Sequence, residues 1–442
     1  MSNFKNLLKS KKYKIAVWGT GYIGLSTMAY YSKKKIKCIG YDIDKSKVKK
    51  INRGVLPISE LRDWFGFDIK KLVKQNFLKA TNNLADLEDT QILAHFIAIP
   101  TEKNGKPYFK ILFDVLKKII KIKIKNKNYT PIIIIESTLT PKFSEKKIIP
   151  FFKKNKIKIG KDLLYSVAPR RDWFVEGTKS LENLDRVFGA TDENSSKIAK
   201  DILSIVCKKL HQASSHEVSE MVKSIENAYR HMEITLANQL SLAFPKDNMR
   251  EVLKLVGTKW NIGTFYPGFG TGGYCIPLSS RYVLENVKSP GKLTLLRETL
   301  KTDSKINLLI AKSVIKRGLK NIGILGLSYK GNLKVSVLSP VIPFVKELLK
   351  NKIKVQLYDP YFSAREIKKI LGIKTFKFPN GLSKFDAIIV AVDHSKFNFS
   401  FKEIKKFLKN TRYILDANGI WKKHHPKLMG KNYHISGDSN WI

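Results

Sequence analysis

Cysteine is scarce in this chain, acids are few, and arginine is thin among the basic residues. The three cysteines, Cys38, Cys207 and Cys275, stand far apart with no paired spacing. That excludes a disulfide framework and a zinc knuckle, so no metal is expected, and it suits a reducing compartment. Apolar runs such as Ile132 to Ile135 are too short to cross a bilayer, and the first fourteen residues reach no apolar signal core. The expectation is a cytoplasmic protein with no membrane partner. Against 82 basic residues there are only 37 acids, giving a formal charge of +45, yet just twelve of the basic residues are arginine and the lysines are spread through every segment. Base readers and phosphate clamps favour arginine, and a binding stripe is local. No specific nucleic-acid partner is therefore expected, and the charge reads as a solvated lysine surface. The 442 residues are enough for two or three domains, each with its own core.

What the chain does have begins at Lys14, with KIAVWGTGYIGLSTMAYYSKKKIKCIGYDID. An apolar strand runs into Gly19, Gly21 and Gly24, a helix follows, and a second strand ends at Asp42. A strand, a glycine turn opening a helix, and an acid eighteen residues after the third glycine form the full dinucleotide arrangement. The glycines, with Tyr22 and Ile23 between them, let a pyrophosphate approach the helix N-terminus, and Asp42 suits the adenosine ribose. Because that acid repels a 2′-phosphate, the expected cofactor is NAD. Further strand-like runs at Ile92 to Ile99, Ile132 to Ile135 and Leu164 to Val167 continue a parallel α/β sheet. Their ends carry IPTE, with Thr101, and ESTLTP, with Thr138, at the border of the ligand crevice.

The longest helical pattern runs from His216 to Phe244, with Val218, Met221, Val222, Ile225, Tyr229, Met232 and Leu236 as its apolar stripe. Lys223 and Asn227 share another side with Arg230 and His231. On a helix such residues are usually the wet face. Beyond it lies YPGFGTGGYCIPLSS, from Tyr266 to Ser280, where Gly268, Gly270, Gly272 and Gly273 clear the backbone around Cys275 and Pro277 stiffens the exit. This is how an exposed thiol is built, although a lone intracellular cysteine is more often a small buried hydrophobe. Cys38 and Cys207 are read as core residues of a strand and a helix. The last third repeats the opening theme, with strands at Asn321 to Leu325, Val355 to Tyr358, Ala387 to Val392 and Tyr413 to Leu415, Gly326 at a turn and Asp359 at a strand end. GLSYKGN lacks the glycine fingerprint, so a second nucleotide, held differently, is expected there.

In this order the pieces resemble the UDP-glucose and GDP-mannose dehydrogenases over nearly the whole length, and most of all the members acting on UDP-N-acetylhexosamines (UDP-N-acetyl-D-mannosamine or -glucosamine). Their pattern of Lys, ENxYR and LANEL reappears as KSIENAYRHMEITLANQL, and PGPGVGGHCIPVDP as PGFGTGGYCIPLSS. The resemblance implies an α/β fold of two Rossmann-like doubly wound parallel-sheet domains joined by a helical middle domain, with limits expected at 1–210, 211–310 and 311–442. It implies a homodimer and the oxidation of a sugar C6 alcohol to the uronate by two hydride transfers to NAD, for surface polysaccharide synthesis. Cys275 would capture the aldehyde and carry a thioester, Lys223 and Asn227 would stabilise the developing oxyanion, and Thr138 would position water. Lys330 would reach the nucleotide-sugar, beside Arg230, Tyr266, Gly270, Gly272 and Gly273.

Several positions depart from the family pattern. Ser279 stands where an acid follows Cys-x-Pro-x, and Arg170 stands where a glutamate follows the proline of a Pro-Glu pair, leaving Glu176, on a longer loop, as the nearest acid. Val335 and Val337 replace an aspartate and an arginine, Asp416-Ala417-Asn418 replaces Asp-x-Arg, and Lys259 is the only cation near the place of an arginine before PGFG. These losses define the rival expectation, a non-catalytic or altered-reaction protein that still binds NAD or a nucleotide-sugar.

Overall fold

The computed structural model describes residues 4–58, 61–88, 90–125, 129–172, 180–285, 287–424, 428 and 432–442. Two compact units account for the chain: Met1–Glu226 with Arg281–Lys288, and Asn227–Ser280 with Ser289–Ile442. The divisions fall inside helices, after Glu226 in His216–Ala243 and after Ser280 in Ile276–Glu285.

In the first unit an eight-stranded sheet runs in the order Leu210–Gln212, Arg186–Ala190, Leu164–Val167, Ile132–Ile135, Ile92–Ile97, Lys14–Trp18, Cys38–Tyr41, Leu78–Thr81. Every neighbouring pair is parallel except Leu164–Val167 with Arg186–Ala190, which is antiparallel and adds a mixed edge to the expected parallel sheet. Strands buried on both faces need no polar alternation, so they read as continuous apolar runs such as IIII. Ile15, Val17, Phe96, Ile132 and Ile134 feed the core on one face; Ala16, Trp18, Ile97, Ile133 and Ile135 feed the core on the other. The strand order reverses at Lys14–Trp18, which lies between Cys38–Tyr41 and Ile92–Ile97. The crevice at that switch point, beyond the strand C-termini, is where such sheets bind ligands.

The second unit holds a wholly parallel five-stranded sheet, ordered Lys354–Tyr358, Asn321–Leu325, Ala387–Val390, Tyr413–Asp416, Tyr433–Ile435. Its first strand ends at Gly326, whose φ of +101° only glycine adopts without strain; a Cβ there would come within 2.4 Å of Val392. Asp359, at the next strand end, accepts the Leu327 amide at 2.7 Å. Asp42 does the same in the first unit, accepting the Thr20 amide at 2.9 Å beside Gly19. The two sheets thus close their first turns with the same device.

The helix His216–Ala243 corrects two expectations. Its apolar stripe does not point into a core: Val218, Tyr229 and Leu236 are exposed, Tyr229 by 63 %. Of the face expected to be wet, Asn227 and His231 are buried and Lys223 and Arg230 half-buried, because polar groups on that side are bonded inside. Ser219 donates to the Val167 carbonyl at 2.8 Å, Ser224 to Leu139 at 3.2 Å, and Asn238 accepts the Gly268 amide at 2.9 Å. A third correction concerns Cys207. It is buried, but the helix Glu193–Leu203 ends before it. Cys38 is buried within its strand as expected. Among the described residues no helix is long and apolar enough to cross a membrane, and no cluster of three His, Cys, Asp or Glu could hold a metal.

Candidate active site

In the first unit the glycine turn has the shape the motif requires. Gly19 has φ +87°, and a Cβ on it would lie 2.6 Å from the Ala98 carbonyl oxygen. One on Gly24 would fall 1.8 Å from the Gly19 oxygen, so the third glycine seats the helix against the turn. Gly21, at the N-terminus of the twelve-residue helix Tyr22–Lys33, faces open space instead. The open side of that turn, at the helix N-terminus, fits a pyrophosphate, and the turn as a whole fits NAD. Tyr22 and Ile23 form the first turn of the helix and are half-buried.

Asp42 is more enclosed than the sequence suggests. Its Oδ2 accepts from the Thr20 amide at 2.9 Å and the Thr20 hydroxyl at 2.7 Å, and its Oδ1 from the Asp44 amide at 3.0 Å. Burial alone would push this carboxyl up, but the bonds from Asp44 and Thr20 outweigh it and hold the group below its ordinary range. The charge that repels a 2′-phosphate is therefore kept. Thr101 and Thr138 are brought together at the strand ends: the Thr101 hydroxyl donates to the Thr138 carbonyl at 2.7 Å, and Tyr282 donates to the Thr101 carbonyl at 2.6 Å.

Arg170 explains its own departure from the family. It is buried beneath the helix Tyr22–Lys33, gripping Asp172 with two bonds of 2.7 and 2.8 Å, and it donates to Ser26 at 2.9 Å and to Thr27. Glu136 lies 3.5 Å from Arg170 and 2.6 Å from Arg186, and it accepts the Thr27 hydroxyl at 2.6 Å. Two guanidinium groups thus face two carboxylates in the core below the glycine turn. Glu136 and Asp172 are spent there. Glu176 lies outside the described residues. Lys223 is half-buried and bonded to Glu226 at 2.8 Å, and Glu226 also takes Arg171 at 2.9 Å.

In the second unit the Cys275 thiol is exposed, unlike the other two cysteines. Its loop is held from below by Tyr329, which the sequence did not single out although it adjoins Lys330. A Cβ on Gly272 would be 2.5 Å from that of Tyr329, and one on Gly273, with φ +81°, would meet the tyrosine ring at 2.8 Å. The Gly273 amide donates to Val337 at 2.9 Å. Gly270 has φ +106°. Four residues after the thiol, Ser279 accepts a 3.0 Å bond from the Asn227 side-chain amide. Asn227 is thereby buried against the very residue that replaces the family's acid.

Lys330 is half-buried, and burial brings its ammonium down to about 8; Asp393 resists this and Arg230 adds to it. Tyr266 is partly exposed and lies over the Arg250 guanidinium, 4.6 Å from its ring centre. Arg250 is buried, donates to the Ser436 carbonyl at 3.0 Å, and approaches Asn418, in the segment where the family has Asp-x-Arg, at 3.4 Å. Arg250 and Tyr329 both escape a sequence reading because their partners are distant in the chain.

A glycine-turn dinucleotide fold followed by a long helix, an exposed thiol on a glycine loop and a second Rossmann-like sheet defines the class of nucleotide-sugar dehydrogenases. Three models of one family match in sequence: its NAD binding domain at residues 13–206, its central domain at 217–305 and its UDP binding domain at 323–423. The chain belongs to the UDP-glucose/GDP-mannose dehydrogenase family, and its N-terminal sheet domain binds NAD. It is 29% identical to the UDP-N-acetyl-D-mannosamine dehydrogenase of Methanococcus aeolicus over 97% of this chain and 96% of that protein. It is 28% identical to the UDP-N-acetyl-D-glucosamine 6-dehydrogenase of Pseudomonas aeruginosa, over 92% and 98%. The solved UDP-D-ManNAc dehydrogenase of Pyrococcus horikoshii superposes with a TM-score of 0.83 at 26% identity, covering 97% of this chain and all of that one.

Proposed function

We propose that this protein is an NAD-dependent UDP-sugar 6-dehydrogenase that oxidises the C6 alcohol of a UDP-N-acetylhexosamine to the uronate, in the cytoplasm, for surface polysaccharide synthesis. Support comes from the three matching family domains and the activities named for relatives spanning more than nine-tenths of the chain. The observation that carries the chemistry is the exposed Cys275 on a loop where Gly272 and Gly273 have no room for a side chain. Bound NAD supplies the acceptor for the two hydrides that a C6 alcohol loses on its way to a carboxylate. Gly19, Gly21, Gly24 and Asp42 hold the cofactor, with Thr101 and Thr138 beside it.

Cys275 is the nucleophile: its thiolate adds to the aldehyde carbon, and the acyl stage leaves it as a thioester that water cleaves. To Lys223 and Asn227 we assign stabilisation of the developing oxyanion. For Lys223 that requires release from Glu226, and for Asn227 a shared bond with Ser279. Lys330, Arg230 and Tyr266 take the nucleotide-sugar. We assign the domains to 1–210, 211–310 and 311–442. The assembly is a homodimer, and the exposed Val218, Tyr229 and Leu236 on the central helix supply an apolar face that a second copy covers. The test is stoichiometry: UDP-N-acetyl-D-mannosamine or UDP-N-acetyl-D-glucosamine should yield two NADH per sugar consumed. One NADH per sugar would identify an enzyme that stops at the aldehyde, and none with either sugar would favour a binding protein.

A further inference from the structure

Within the second unit, a buried polar cluster ties down both flanks of the Cys275 loop. His231, from the central helix, has no exposed surface, and Asp303, from the helix Thr294–Lys316, is almost as deeply buried. Asp303 Oδ1 accepts the Thr271 amide at 3.0 Å, and its Oδ2 accepts the Thr271 hydroxyl at 2.6 Å. His231 Nε2 lies 3.2 Å from that same Oδ2 and 3.2 Å from the Thr271 Oγ1. With the threonine hydrogen given to Asp303, an Nε2–H is the arrangement that avoids setting acceptor against acceptor here. On the other side of the ring, Nδ1 bonds the Ser280 hydroxyl at 2.8 Å. Thr271 precedes the thiol by four residues and Ser280 follows it by five. One imidazole therefore joins the entry and the exit of the loop.

One feature separates this cluster from ordinary core filling. Thr271 and Ser280 stand where the resembling motif PGPGVGGHCIPVDP has valine and proline, so a hydroxyl lies at each end of the loop here, and both reach His231. The order Ser280, His231, Asp303 also resembles a hydrolase relay, but Ser280 is wholly buried and cannot meet a substrate. Its role is to hold. We propose that Thr271, His231, Asp303 and Ser280 form a clamp that fixes the Cys275 loop in its reacting position, with His231 as the positioning residue. The inference rests on the reading of Cys275 as the reacting thiol.

The test uses the full-length protein with Thr271→Val, which removes the hydroxyl at nearly constant shape, and Thr271→Ser, which restores it. Hydrogen exchange followed by mass spectrometry should show amides between 270 and 279 exchanging at least about tenfold faster in Thr271→Val, with the rest of the unit unchanged and Thr271→Ser close to wild type. With a UDP-N-acetylhexosamine as substrate, kcat should fall by about tenfold while KM for NAD stays the same. Ser280→Ala should act likewise, and the double variant should lose less than the product of the two single losses, since both act through one ring. Unchanged exchange in that segment, an equal rise throughout the unit, or fully multiplicative losses would overturn the clamp. A wild-type protein that oxidises neither sugar would overturn the functional reading instead, while exchange still decides the clamp.

Discussion

Restoring the family's glutamate at position 170 should damage this protein. Arg170, Arg186, Glu136 and Asp172 are all nearly free of solvent contact through their side chains, and their contacts run from 2.6 to 3.5 Å. Two positive and two negative groups balance there. Arg170→Glu would leave three carboxylates facing one guanidinium, strand Asp172 without its two-bond partner, and remove the donors to Ser26 and Thr27. Removing one member of a buried ion pair costs about 3–5 kcal/mol, and the added negative charge can only increase that. For a folding unit of this size each kcal/mol lowers the melting temperature by about 2–4 °C, so the variant should melt roughly 6–20 °C below wild type. Arg170→Met, which removes the charge without reversing it, should fall in between. Calorimetry or urea titration followed by circular dichroism reads the effect, and turnover should not rise. A variant melting within about 2 °C of wild type, or one turning over faster, would refute the structural assignment of Arg170 and return the position to the reacting centre.

Glu220 accepts the Phe143 and Ser144 amides at 2.5 and 3.2 Å, yet burial pushes its carboxyl up to about 7. The folded protein then keeps a proton that the unfolded chain releases near pH 4.5, so its stabilising contribution is complete below that pH and is lost as pH rises to about 7, by roughly 2–4 kcal/mol. Glu220→Gln should flatten this slope in urea titrations at pH 5, 6, 7 and 8, and parallel slopes for the two proteins would count against it. For the cofactor, NAD should bind at least about tenfold more tightly than NADP by calorimetry, and Asp42→Asn should narrow the gap. Equal wild-type affinities would show that the Asp42 carboxylate does not face the ribose.

The dinucleotide turn was legible because its determinants are local: three glycines, a helix start and a strand-end acid all lie between Gly19 and Asp42. The strands were legible for a similar reason, since those buried on both faces are runs of Ile, Val and Leu. Arg170 read as a lost catalytic acid because its partners lie at positions 26, 27, 136 and 172, and no periodicity links them. The central helix misled for a physical reason. Its apolar stripe predicts an inward face only when the other face lacks internal partners, whereas here Ser219, Ser224, Asn227, His231 and Asn238 are all bonded inside. The exposed thiol followed from its glycines, but the departure at Ser279 gained a meaning only when Asn227 was found bonded to it.

On the proposed function, Cys275 forms a covalent intermediate with the sugar. The most direct measurement is rapid acid quenching of the enzyme with NAD and UDP-N-acetyl-D-mannosamine or UDP-N-acetyl-D-glucosamine, followed by peptide mass spectrometry. A sugar adduct is expected on the peptide carrying Cys275, none on Cys38 or Cys207, and neither adduct nor acid product in Cys275→Ser. Acid formed at the wild-type rate by Cys275→Ser, or an adduct on another residue, would contradict it.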